Sequence, residues 1–174
     1  AGHVEGADRI VLRNLDVVSG KTVVRFDEDG VQMDDGSLIA WDGIERGQVA
    51  ASGQAAFDRM LQELGTPLYR IRQRLTVGDY AGLLDHAETL YPRYVNCKSQ
   101  TAYMVLQSLM WARLSVGRRE ESVEPYLRCY ACLRSAAGKQ VVLPGTRRLQ
   151  LDVETGMSPE LAPIWFDAES AKKV

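Results

Sequence analysis

The stretch FDEDGVQMDDGSLIAWDGI, Phe26 to Ile44, decides the N-terminal part of the fold. It holds three Asp-Gly pairs, Asp29-Gly30, Asp35-Gly36 and Asp42-Gly43, each set between short runs rich in β-branched or aromatic residues. Glycine takes a positive φ at little steric cost and aspartate tolerates the left-handed region, so each pair predicts a tight reversal between strands. Working outward, Ile10–Leu15, Thr22–Phe26, Val31–Met33, Leu38–Trp41 and Gln48–Ala50 read as strands, with Gly20 supplying a further turn. Residues 1–50 are therefore expected to form a small antiparallel β-meander or barrel. Alternation points Val11, Val24, Val31, Ile39 and Trp41 inward, into a core of their own, with no helix between Thr22 and Trp41.

Between residues 50 and 53 the apolar period changes from two to about 3.6, which predicts an α-helical domain over residues 51–138. Ser52 is placed to cap a first helix carrying Phe57, Met60, Leu61 and Leu64 inward, and Gly65 to stop it. Thr66 and Pro67 start a second helix with Leu68, Ile71 and Leu75 on one face, ending near Gly78. A third turns Tyr80, Leu83, Leu84, Ala87, Leu90 and Tyr91 inward and is closed by Pro92. A fourth, roughly 99–116, and a fifth, roughly 120–136, flank the turn at Gly117. On a helical wheel the fifth presents Val123, Tyr126, Leu127, Tyr130 and Leu133 inward, which leaves Cys132 outward and Cys129 at the edge.

Gly78 and Gly117 are 39 positions apart, and that offset sets Leu83, Ala87 and Leu90 against Ser122, Tyr126 and Cys129. Together with Gly78-Asp79-Tyr80 and Leu106-x-x-Leu109-Met110, the pattern resembles the tetratricopeptide repeat, although its period exceeds the family's, which is about 34. The resemblance implies antiparallel helical hairpins that present a groove to a protein or peptide. Phe26 to Ile44 likewise resembles the SH3-like or Sm-like β modules of many bacterial proteins. The fold class expected is thus α+β, a β-meander or barrel followed by a helical hairpin repeat. Residues 139–174 are expected to add a hairpin, Gln140–Leu143 with Arg148–Val153 about the turn Pro144-Gly145, and an irregular cap in which Ile164, Trp165 and Phe166 pack over the fifth helix.

Composition narrows the function. With 45% hydrophobic and 25% charged residues the 174-residue chain reads as a folded, soluble protein. Its 21 basic and 23 acidic residues leave a formal charge of −2, which argues against a dedicated nucleic-acid binder. No apolar run reaches the roughly 18–20 residues of a membrane span. The opening Ala1-Gly2-His3, without methionine, fits a chain processed after export to the periplasm or cell envelope, or one trimmed at its N-terminus.

Motifs that would carry chemistry are incomplete. Ser19-Gly20-Lys21-Thr22 matches the end of a phosphate-binding loop, but the position of its first glycine is Leu15 and the segment leads into a strand. Asp27, Glu28, Asp29, Asp34 and Asp35 suggest a calcium loop, yet its first ligand position is Arg25. Cys129-Tyr-Ala-Cys132 is a C-x-x-C lying mid-helix, followed by Leu133 where haem attachment needs histidine. His86, Cys97, Cys129 and Cys132 have the ligand types of a zinc site, and they carry the alternative reading of a zinc sensor or enzyme. Otherwise only His3 and His86 could serve a nucleophile, and no spacing rule selects a carboxylate pair. Arginines recur at Arg70, Arg72, Arg74, Arg93, Arg113, Arg118, Arg119, Arg128 and Arg134. Arg70, Arg74, Arg113, Arg118 and the aromatic Trp165 are the candidate contacts for a partner protein or peptide. The reading that follows is a non-catalytic interaction or scaffold module with no cofactor, no catalytic residue and no metal.

Overall fold

The computed structural model describes residues 8–135, so the expected C-terminal hairpin and cap, with Ile164, Trp165 and Phe166, lie outside the described residues. Small antiparallel sheets come first and helices follow, an α+β arrangement. The chain divides into two compact units, with the boundary inside a helix after Arg72. No described helix is long and apolar enough to cross a membrane.

The first unit holds two three-stranded antiparallel sheets. One has the order β2-β1-β6, from β1 (Arg9–Leu12), β2 (Val17–Val18) and β6 (Ile44–Gln48); the other is β3-β4-β5, from β3 (Val23–Asp27), β4 (Gly30–Met33) and β5 (Leu38–Ile39). The Asp8 carboxylate, almost fully buried, ties the start of β1 to β3 by accepting the Val23 N–H at 2.6 Å. Val11, Val31 and Trp41 are buried as expected and Ile39 is half-buried. Val24 is not inward: it is 63% exposed. A bulge between Val23 and Arg25 breaks the register of β3 on β4, and beyond a bulge the period of two no longer assigns faces.

The expectation of a helix-free run to Trp41 also fails at its last residue. The strand ends at Ile39, and Trp41–Gly43 form a single 3-10 turn that drives the Trp41 indole into the core. There its Nε1 donates to the Asp27 carbonyl at 2.7 Å. Nor is the core of residues 9–50 their own. Helix α1 (Ala51–Met60) contributes Phe57, whose ring lies 5.3 Å from that of Trp41 and edge-on to Phe26 at 5.8 Å. Gly47 on β6 leaves room for the Phe57 ring, since a Cβ there would come within 2.6 Å of it. Strand gives way to helix where the sequence places the change, and the compact unit runs on to Arg72.

Two helix signals resolve differently from expectation. Ser52 is not the cap: Ala50 holds that position without a side-chain bond, and Gln54 ties the helix start to the chain before it, accepting the Val49 N–H at 2.8 Å and donating to the Gly47 carbonyl at 3.0 Å. Gly65 does not stop the helix, because α1 passes through a π-helical stretch, Leu61–Gly65, straight into α2 (Thr66–Val77). A glycine is needed there for close packing. A Cβ at 65 would lie 2.7 Å from Leu61 Cδ1 and 3.2 Å from the Trp41 carbonyl oxygen. Asp42, buried, forms an ion pair with Arg72 that fastens the 3-10 turn to α2 within the same unit.

The second unit contains α3 (Leu84–Tyr94), α4 (Gln100–Ser115) and α5 (Val123–Ser135). Helix α2 ends at Gly78 and α4 at Gly117, and the two stops share one geometry. Each glycine is left-handed, with φ of +76° and +80°. The Gly78 N–H donates to the Leu75 carbonyl at 3.2 Å and the Asp79 N–H to the Arg74 carbonyl at 2.9 Å; Gly117 and Arg118 donate in the same way to Leu114 and Arg113, at 3.2 and 2.8 Å. These bonds satisfy carbonyls that a helix end would otherwise leave orphaned, the pattern of a Schellman stop. One 3-10 turn then leads into the next helix, Ala81–Leu83 before α3 and Glu120–Ser122 before α5.

Ser99 caps α4, its Oγ accepting the Ala102 N–H at 3.1 Å. Pro92 does not close α3. It sits inside the last turn, and the fully buried Tyr94 anchors the helix beyond it. Helix α4 is the centre of the unit, packed on both α3 and α5 and buried at every position from Thr101 to Ala112.

Candidate functional site

The expected contact arginines are placed mostly by the two helix stops. Arg74 and Arg113 hold the same position in them, each supplying the carbonyl that accepts the longer-range bond. At the first stop the Arg74 guanidinium lies 2.6 Å from Asp79 Oδ2, while Asp79 Oδ1 accepts the Gly82 N–H at 3.1 Å. Gly82 is what makes this possible, because a Cβ there would lie 2.8 Å from Arg74 Cζ.

At the second stop Arg118 takes the place of Asp79, so two guanidinium groups meet. Glu88 on α3 relieves the repulsion, its Oε1 lying 3.4 Å from Arg113 Nη2 and 3.0 Å from Arg118 Nη1. Arg118 also makes a two-pronged pair with Glu121, with Nε 2.7 Å from Oε1, and Arg113 donates to the Glu121 carbonyl at 2.7 Å. The pairing holds the Glu121 carboxyl below its ordinary range and pushes the Arg118 guanidinium up, the mutual hydrogen bond being the largest cause for both. Two cations and two anions cancel. Arg113 and Arg118 are therefore locks on a helix end and form no open anion cradle. Arg70 is exposed and pairs with no carboxylate among the described residues; Trp165 lies outside them.

The cysteines depart furthest from expectation. Cys129 and Cys132 do not face away from the helical core; both are buried in it, beside Tyr103, Leu106, Met110, Trp111 and Tyr126. Leu127, expected inward, is 47% exposed, and the side chains of Tyr130 and Leu133 lie outside the described set. The wheel was centred on the bulkiest apolar residues, whereas contact with α4 selects the face of Ser122, Tyr126, Cys129 and Cys132. Burial pushes both thiols up; Lys98 opposes this at Cys132, while Cys97 adds to it. Tyr103 is likewise raised, first by burial and then by the two thiols. Among the described residues no three His, Cys, Asp or Glu side chains gather as ligands of a metal ion, so His86, Cys97, Cys129 and Cys132 do not assemble the zinc site of the alternative reading.

The other motifs resolve as turns. Lys21 of the phosphate-loop remnant reaches Asp35 at 2.5 Å, and Thr22 runs into β3 with no helix to face a phosphate. Asp27 accepts the Asp29 N–H at 3.0 Å and Asp35 the Ser37 N–H at 2.9 Å, one oxygen of each serving a backbone turn while the other faces a basic side chain, Arg25 or Lys21. Lys21 and then Ser37 hold the Asp35 carboxyl well below the carboxylate range. Sequence reasoning missed Asp79, Glu88 and Glu121 as the partners of the arginines. Glu121 was accessible to it, three residues after Arg118; Glu88 was not, being thirty positions away. No family model matches the chain, and neither a curated protein nor a solved structure matches it significantly.

Proposed function

We propose that the chain is a non-catalytic interaction module whose helical part is built from two copies of one unit, in the manner of tetratricopeptide-type repeats, and that it binds another protein or peptide. The observation that carries this reading is the correspondence across 39 positions. Gly78 and Gly117, the 3-10 turns Ala81–Leu83 and Glu120–Ser122, and the buried triads Leu83, Ala87, Leu90 and Ser122, Tyr126, Cys129 all fall in step. Repeats stacked this way bury a shared core and leave a continuous outer surface for recognition, so conservation of a turn and not of a reactive cluster is what such a module requires. The N-terminal module, similar in its turn pattern to SH3-like or Sm-like folds, is the second candidate surface. Arg70 and Trp165 remain the contact residues, since Arg74, Arg113 and Arg118 are occupied within the fold.

The test is affinity capture from the source organism followed by reconstitution with the purified candidate. A one-to-one complex weakened tenfold or more by Arg70→Glu or Trp165→Ala supports the reading. Captured proteins no different from those on an unrelated bait, or turnover of a small molecule by the purified chain, overturns it.

A further inference from the structure

None of the three cysteines is in a disulfide, yet two of them converge from separate elements. Cys97 lies in the connection between α3 and α4, half-buried, with its Sγ turned back to the Arg93 carbonyl at 3.4 Å. Cys132, on α5, points its own Sγ at the Cys97 carbonyl oxygen, 3.6 Å away. A carbonyl oxygen is about 2.4 Å from its own Cα, so the Cys132 sulfur is within about 6 Å of the Cys97 Cα. A disulfide between them requires the Cys97 side chain to turn from Arg93 toward α5 and its segment, which lies outside any helix, to shift until the sulfurs are about 2.05 Å apart.

We propose that Cys97 and Cys132 are a redox-modification site, closed to a reversible disulfide by a peroxide. Accessibility sets the order of events. Cys97 is the thiol solvent reaches, whereas Cys132 is 5% exposed and Cys129 fully buried. The Cys97 thiolate attacks one peroxide oxygen, the O–O bond breaks, water leaves and a sulfenic acid forms. The Cys132 thiolate then attacks the Cys97 sulfur, the S–O bond breaks, and hydroxide departs with a proton as a second water. The two sulfurs together give up the two electrons that reduce the peroxide. Burial holds the Cys132 thiol above its ordinary value and Lys98 offsets part of that, so the second step is the slower one and quickens as pH rises. The bridge joins the α3–α4 connection to α5, across the helix that forms the centre of the unit.

The experiment treats the reduced full chain with hydrogen peroxide, blocks remaining thiols and maps peptides with fragmentation, because the tryptic peptide Cys129–Arg134 contains both helical cysteines. Expected is a link between Tyr94–Lys98 and Cys132, lighter than the reduced pair by two hydrogens, reversed by dithiothreitol, with Cys129 unmodified until unfolding. The melting temperature should rise by several degrees on oxidation, since the crosslink restricts the unfolded chain. Cys129→Ser should keep the link and Cys97→Ser abolish it. A Cys129–Cys132 bridge, an intermolecular dimer through Cys97, or oxidation of Cys97 to sulfinic acid without a bridge overturns the proposal. The map of the unmutated protein decides this even if a variant folds poorly.

Discussion

Leu15 and Gly36 hold the same position in two hairpins of the same build. In one, the Leu12 N–H donates to Asp16 and the Leu15 N–H to Leu12, both at 2.9 Å; in the other, the Met33 N–H donates to Ser37 at 2.9 Å and the Gly36 N–H to Met33 at 3.0 Å. Both residues are left-handed, with φ of +72° and +81°. Glycine adopts that conformation freely, while leucine places its Cβ against the following carbonyl. The Leu15 side chain, 78% exposed, recovers little of that cost by burial.

Replacing Leu15 with glycine should therefore stabilise the protein by about 1 kcal/mol, less a few tenths for the looser unfolded chain. Urea unfolding should show a higher midpoint at an unchanged slope. A lower midpoint would mean that the leucine is held by packing.

Gly78→Ala and Gly117→Ala should each destabilise by about 1 kcal/mol, and by equal amounts within about 0.5 kcal/mol. A Cβ at either position meets nothing within 4 Å, so the cost comes from the backbone alone and the two stops share that backbone. Paired denaturation curves test the equality, and unequal losses would count against a common unit.

Gly65→Ala should cost more, roughly 1–3 kcal/mol, because here the added methyl meets Leu61 and the Trp41 carbonyl. In a Leu61→Ala background the penalty should shrink without vanishing, since the carbonyl is fixed in the 3-10 turn. A double-mutant cycle measures that coupling.

Alkaline pH should unfold the helical unit. Burial raises Cys129 above its ordinary value of 9.0, and burial with Glu124 pushes Tyr91 from 10.0 up to about 12. Both groups are neutral in the fold and ionise first in the unfolded chain, so their contribution is complete below about pH 9 and is lost as pH rises. The fall begins above pH 9 with the thiol and continues from 10 to 12 with Tyr91. Stability measured against pH should fall less steeply between 9 and 10 in Cys129→Ala, which keeps Cys132 as the remaining buried thiol with a raised value.

Sequence alone determined the features that a few neighbouring residues pay for or relieve. Gly78 and Gly117 after an apolar run, and the pairs Asp29-Gly30 and Asp35-Gly36 between strands, each solve a local backbone problem where the sequence puts them, whereas Asp42-Gly43 falls inside the 3-10 turn and Gly43 is not left-handed. Tertiary structure decided which way things face. Val24 turns outward at a bulge in β3, and Gly65, inside a continuous helix, leaves room for the Trp41 carbonyl. Cys129 and Cys132 turn inward because α5 rests on α4, and Arg118 is locked by Glu88 from another helix. A turn or a cap depends on backbone dihedrals and hydrogen bonds within a few residues, so its signal is contiguous. A face, a bulge or an ion pair depends on surfaces that meet only after the chain has folded, and the residues that form them are far apart in sequence.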